Sequence, residues 1–138
     1  MLKVFVDTVA WIALLNTNDV LHEQAQQVMR TLRQQNARLI TTEFVLLEVA
    51  DALSAPPIRS QTVAFIEGLR QLPVLQITPA SQSLLADGWS LYRQRSDKDW
   101  GLTDCTSFVV MTQGQIMQAF TSDHHFEQAQ FVNLLSLE

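Results

Sequence analysis

Val4-Phe5-Val6-Asp7-Thr8-Val9-Ala10-Trp11 is the stretch whose reading decides the fold. An apolar, β-branched run ends abruptly in an aspartate, and an apolar helical pattern follows at once. A run of this kind reads as a buried parallel strand. Open α/β sheets bind their ligands in the crevice outside the carboxyl ends of such strands. Asp7 falls at that edge, so the rest of the chain is read for other acids that reach the same place.

Working outward, strand and helix patterns alternate. Lys3–Val6 is the first strand, and a short helix covers Val9 to Leu15. Asn16-Thr17-Asn18-Asp19 breaks it. A second helix spans about Leu21 to Gln35, with Leu21, Ala25, Val28, Met29 and Leu32 on one face. Ala37–Ile40 is a strand. Thr41 or Thr42 caps a third helix, Glu43 to Leu53, whose apolar stripe is Val45, Val49, Ala52 and Leu53. Pro56-Pro57 ends it. A fourth helix covers Ser60 to Leu72, with Val63, Ile66 and Leu69 inside. Pro73–Ile77 is a strand, and Pro79 opens a fifth helix that reaches Arg95. A sixth helix covers Thr103 to Gln113, Gln118–Thr121 is a strand, a short helix starts near Asp123, and Val132–Leu135 is the last strand. The expected architecture is one α/β domain over residues 1–138. Its central, mainly parallel sheet of about four to five strands is flanked by helices.

Composition narrows the function. The chain has 138 residues, 47% hydrophobic and 17% charged, which suits an ordinary globular domain. Met1-Leu2-Lys3-Val4 leads straight into the first strand and leaves no room for a signal peptide. No apolar run approaches the ~18–20 residues that span a membrane. One cysteine, Cys105, excludes an intrachain disulfide and fits a cytoplasmic location. The net charge of −5 argues against phosphate binding over the whole surface. A nucleic-acid role would need local cations or metal ions.

The acids fall where a metal site would need them. Asp7 ends the first strand and Asp123 follows the Gln118–Thr121 strand. Asp104 sits in the first turn of the sixth helix, and Asp99 lies in the loop that feeds it. Glu48 interrupts a strongly apolar helix, Phe44-Val45-Leu46-Leu47-Glu48-Val49-Ala50. Carboxylates that share a cleft push one another toward protonation, and a hard cation relieves this. Mg²⁺ or Mn²⁺ suits oxygen ligands, activates water and stabilises charge on a phosphate. Each acid also has a structural reading: Asp7 as a turn residue, Asp104 as a partner of its helix dipole, Asp123 as an N-cap, Asp99 as a solvated charge, and Glu48 on an outer face.

Val6-Asp7-Thr8-Val9-Ala10-Trp11, Glu48 on its apolar helix, Leu102-Thr103-Asp104-Cys105-Thr106-Ser107-Phe108 and Phe120-Thr121-Ser122-Asp123-His124-His125-Phe126 together resemble the PIN domain. The chain looks in particular like the VapC-type toxins of bacterial toxin–antitoxin pairs, over essentially its whole length. The resemblance implies a Rossmann-like fold and an endoribonuclease dependent on Mg²⁺ or Mn²⁺. It makes Asp7, Glu48, Asp104 and Asp123 both the catalytic and the metal-binding acids. Asp99 matches a further acid of the metal site, and Thr8 and Ser122 match small polar residues that support the carboxylates. It further implies an RNA substrate, single-stranded or a structured loop, a cognate antitoxin and a homodimer.

Other residues point elsewhere. Cys105 lacks a partner histidine and reads as a small buried residue. His124 and His125 give a weak zinc reading, and solvated helix-start histidines are the default. Glycines 68, 88, 101 and 114 are scattered, so no glycine-rich phosphate loop exists. Trp89 to Trp100 combines aromatics with cations. Arg95 and Lys98 read as RNA contacts, while Trp89 and Tyr92 read as core. Trp11 and the apolar second and fourth helices read either as surfaces for a dimer or an antitoxin or as ordinary core, and the sequence does not separate the two. The alternative function is a non-catalytic PIN-like module that binds RNA or protein. A response-receiver domain would need a lysine after a late strand, and Lys3 and Lys98 are the only lysines.

Overall fold

A computed structural model describes residues 1–137. The elements in order are β1 (Lys3–Val6), α1 (Thr8–Leu15), α2 (His22–Gln34), β2 (Arg38–Thr42), α3 (Glu43–Ala52), α4 (Pro56–Leu69), β3 (Leu75–Thr78), α5 (Gln82–Gln94), α6 (Leu102–Gln113), β4 (Gln118–Phe120), α7 (His124–Gln128) and β5 (Val132–Asn133). All strand pairs are parallel, and the sheet order is β3-β2-β1-β4-β5. The chain builds outward from β1 through β2 to β3, then crosses to the other side for β4 and β5. The order therefore reverses between β1 and β4, and their carboxyl ends form the topological switch point.

Burial follows this order. Val4, Phe5 and Val6 of β1 and Ala119 and Phe120 of β4 are wholly buried, as a strand covered on both faces requires. Gln76 of the edge strand β3 is exposed. No helix among the described residues is long and apolar enough to cross a membrane.

Three helix-to-strand connections share one device. Asn36, Gln115 and Gln130 each have a positive φ, at 54°, 55° and 75°. The next residue reaches back five places: Ala37 N–H to the Leu32 carbonyl, Ile116 to Met111, and Phe131 to Phe126, at 2.8 to 3.0 Å. These are Schellman closures, which satisfy the last helical carbonyls and turn the chain back toward the sheet. No glycine occupies the left-handed position, so the sequence carries no overt stop signal there.

Three elements differ from expectation. The prolines that end α3 also begin α4, because Pro56 and Pro57 occupy its first turn, where an N–H is dispensable. α5 starts at Gln82, since the Ser81 side chain caps it by accepting from Leu84 N–H at 3.0 Å, and Pro79 stays outside. Val63 and Ala52, expected inside, are exposed, whereas Thr62 is buried and donates to the Leu53 carbonyl at 2.9 Å.

α5 lies against α6 at a glycine. A Cβ on Gly88 would come 2.5 Å from Thr106 Cγ2 and 3.3 Å from the Thr106 backbone. Thr106 cannot turn away freely, because its hydroxyl donates to the Thr103 carbonyl at 2.7 Å. Gly88→Ala gains about 1 kcal/mol of helix propensity but meets an overpacking cost of about 1–3 kcal/mol. We expect a net loss of about 1 kcal/mol in urea unfolding. Thr106→Ser, which removes the opposing methyl, should recover it in the double variant; no recovery would refute this packing account.

Candidate active site

The site is built on the switch point. Val6 pairs with Phe120, so the next residues, Asp7 and Thr121, leave β1 and β4 side by side. Asp7 N–H donates to the Phe120 carbonyl at 3.2 Å, and Thr121 Oγ1 donates to Asp7 Oδ2 at 2.9 Å. Thr121 Oγ1 also accepts from Asp123 N–H at 3.1 Å, which seats the acid that caps α7. One fully buried hydroxyl thus joins two candidate acids. The sequence reading points to Thr8 and Ser122 as supporting residues and misses Thr121. The signal available is the parallel register, which places residue 121 opposite residue 7. Ser122 makes no hydrogen bond among the described residues. Thr8 does support an acid, donating to Glu48 Oε1 at 2.5 Å.

The other acids arrive from separate elements. α3 brings Glu48, which is solvent-exposed on its helix, as its outer-face reading expects, and tied to α1 by Thr8. α6 brings Asp104, whose Oδ2 accepts from Gly101 N–H at 3.2 Å. Asp123 caps α7 by accepting from His125 N–H at 2.9 Å. Asp104, Asp123 and Glu48 each commit one carboxylate oxygen to a protein donor. Their second oxygens, Asp104 Oδ1, Asp123 Oδ2 and Glu48 Oε2, have no protein donor among the described residues.

Electrostatics separates the acids. Asp7 is only 3% exposed, and its carboxyl is pushed up to about 7, chiefly by burial. The Thr8 backbone and Thr121 hydrogen bonds oppose this, and the nearby charges of Asp104 and Glu48 add to it. Asp104 is raised as well, first by burial and then by Asp123. The charges that act on Asp7 are thus negative, a repulsion that a bound cation would relieve.

Two residues read as bystanders sit inside the cluster. His125 Nδ1 lies 3.0 Å from Asp104 Oδ2 and 3.4 Å from Asp123 Oδ1, and Nε2 lies 3.1 Å from Asp99 Oδ1. Burial would lower its pKa, but the Asp104 hydrogen bond and the charges of Asp123, Asp104 and Asp99 raise it overall. His124 is exposed, 3.7 Å from Asp123 Oδ1. Among the described residues, Asp123, His124 and His125 bring ligand atoms within 4.8 Å of one another. The histidine pair is therefore part of the acid cluster, and His125 is no solvated helix-start residue.

The remaining expectations divide. Cys105 is buried, and burial pushes its thiol up to about 11, so it is an inert core residue. Trp89 and Tyr92, read as core, are 50% and 43% exposed and stack on each other at 5.4 Å. α5 presents them to solvent, and Trp100 fills the core instead. Arg95 already has partners: Asp97 at 3.0 Å and the Trp100 ring, 4.9 Å from its centroid. Trp11, for which partner surface and core both stayed open, is buried. Its indole N–H donates to Thr41 Oγ1 at 3.2 Å, and Thr41 donates to the Val6 carbonyl at 2.8 Å.

A buried aspartate at a switch point, ringed by acids from three helices, sits on a five-stranded parallel sheet. The sequence model of the PIN domain matches residues 4–132. The chain belongs to the PIN-domain family. This PIN domain is 27% identical over 131 residues to the 23S rRNA-specific endonuclease VapC20 of Mycobacterium tuberculosis, covering 95% of this chain and 97% of that one. The crystal structure of VapC20, described as a sarcin-ricin loop cleaving toxin, superposes with a TM-score of 0.81 over 94% of this chain and 96% of that one, at 27% identity. VapBC2 from Rickettsia felis, solved with a DNA fragment from its promoter, shares the fold at a TM-score of 0.70 and 13% identity, over 96% and 97% of the two chains. FitAcB from Neisseria gonorrhoeae does so at 0.64 and 17%, over 94% and 95%.

The donor set suits a hard divalent ion. It offers the carboxylate of Asp7, whose charged form burial disfavours first and neighbouring acids second, and unengaged second oxygens on Glu48, Asp104 and Asp123.

Proposed function

We propose that this PIN domain is a metal-dependent endoribonuclease, the toxin of a toxin–antitoxin pair, acting in the cytoplasm on a structured RNA loop. The observation that carries the reading is Asp7: a buried carboxyl at the switch point of a PIN fold, with the acids Glu48 and Asp104 near enough to act on its charge. Asp7, Glu48, Asp104 and Asp123 would hold Mg²⁺ or Mn²⁺. The ion supplies activation of water and stabilisation of charge on the scissile phosphate. Thr121 and Thr8 keep the Asp7 and Glu48 carboxylates in place. Lys98, and Arg95 once released from Asp97, supply positive charge beside an acidic groove that would otherwise repel RNA. The relationship to VapC20 supports an RNA substrate, with a ribosomal RNA hairpin loop the first to test. A cognate antitoxin and a homodimer belong to the same proposal.

The test is cleavage of total RNA and of isolated ribosomal RNA by the purified chain, freed of any partner. Cutting should require Mg²⁺ or Mn²⁺, stop with chelator, and fall at least about 100-fold in Asp7→Asn. Arg95→Ala with Lys98→Ala should raise KM. A folded, metal-binding protein that cuts neither pool would favour the non-catalytic module.

A further inference from the structure

We propose that His125 is a positioning residue that couples the exposed loop acid Asp99 to Asp104 and Asp123. The three acids have very different surroundings. The side chains of Asp104, Asp123 and His125 are 16%, 24% and 16% exposed, and that of Asp99 is 82% exposed. By exposure alone Asp99 is a solvated charge with no preferred direction. The imidazole gives it one. Its Nε2 lies 3.1 Å from Asp99 Oδ1, an ion-pair contact without hydrogen-bond geometry, while Nδ1 is hydrogen-bonded to Asp104 Oδ2 at 3.0 Å.

The ring is held from three sides. α7 carries it, and Asp123 caps that helix through the His125 backbone N–H at 2.9 Å. α6 meets one nitrogen and the 95–101 loop meets the other. Turning the ring breaks both side-chain contacts. The consequence falls on Asp104. Its Oδ2 is engaged by His125 and by Gly101 N–H at 3.2 Å, which fixes the carboxylate plane and leaves Oδ1 for a ligand. An imidazole hydrogen-bonded to one carboxylate and in ion-pair contact with a second orients an acid without touching the ion, as outer partners do in metal sites. The geometry therefore gives Asp99 a role at a distance, through His125, instead of the place as a further acid of the metal site that the family resemblance implied.

Only the catalytic readout of this inference rests on the nuclease reading above. Mn²⁺ affinity, measured calorimetrically on the full chain without RNA, reads the coupling by itself. Asp99→Ala and His125→Ala should each weaken Mn²⁺ binding by about 10–100-fold, and the double variant no further than the stronger single one. Asp99 is exposed, so its variant should melt with the parent, which keeps the test free of folding failure. In the cleavage assay kcat should fall with KM for RNA unchanged. Independent, multiplying effects would make Asp99 a ligand in its own right and overturn the coupling, as would parental Mn²⁺ affinity in Asp99→Ala. Absence of cleavage by the parent chain would defeat the nuclease reading and leave the Mn²⁺ cycle to decide the coupling.

Discussion

Asp7→Asn should make the metal-free protein more stable, by about 4 kcal/mol near neutral pH. The figure is the distance between an ordinary carboxyl at 3.8 and one held at about 7, at roughly 1.4 kcal/mol per pH unit. Below about pH 4 the folded and unfolded chains both keep the Asp7 proton, and the burial of Asp7 costs no charge. As pH rises, the unfolded chain ionises first while the folded chain still holds its proton. The unfolded state then binds fewer protons, so stability falls until about pH 7 and levels off above it. The raised pKa of Asp104 acts in the same direction. The substituted asparagine carries no charge to lose and brings an amide donor among carboxylates, so the variant should escape the fall. Thermal melts from pH 4 to 8 with chelator should show the variant drawing ahead, on the order of 10 °C at neutral pH. Saturating Mn²⁺ should then stabilise the parent alone, because a ligand that binds only the native state adds to its stability. A variant no more stable than the parent at pH 7 would mean that Asp7 folds as an ordinary ionised aspartate, and the electrostatic case for the cation would fall with it.

Trp11→Ala should lose about 3–5 kcal/mol, a third or more of the stability such a domain has. The indole is 1% exposed, packs edge-on against Phe65 at 6.1 Å, and donates to Thr41 Oγ1. Thr41 in turn donates to the Val6 carbonyl, one residue before Asp7. Truncation leaves a cavity and strips a buried hydroxyl of its donor. Trp11→Phe keeps most of the volume and loses only the N–H, so its cost should be about 1–2 kcal/mol. Urea unfolding of the isolated chain measures both. A surface tryptophan kept for a partner would leave this stability unchanged in both variants, so a flat result would restore the interface reading of Trp11.

The residues that the sequence determines are those fixed by local chemistry. Val4-Phe5-Val6 reads as a buried strand, since consecutive side chains point to opposite faces and all three are apolar, so both faces must be covered. Asp7 must then stand at its end. Glu48 in an apolar helix, Asp104 one turn into α6 and Asp123 as the cap of α7 are legible for the same reason: each position is set within its own element. The proposed metal chemistry rests on the same residues, because acids gathered at one sheet edge suit a hard cation.

The tertiary structure decided everything that depends on which elements meet. Thr121 is one more small polar residue until the β1–β4 register sets it opposite Asp7. His125 looks like one more exposed histidine until α7, α6 and the 95–101 loop converge on its two nitrogens. Trp89 and Tyr92 match a core pattern, yet α5 presents them to solvent. Trp11 reads equally as a partner surface or as core until Phe65 of α4 and Thr41 of β2 close over it. The left-handed turns at Asn36, Gln115 and Gln130 carry no glycine to announce them. Hydrogen bonds and burial of this kind are set by residues up to 114 apart in sequence. No local pattern encodes such a distance, so the carboxylates could be listed from the chain, but the groups that aim them only from the fold.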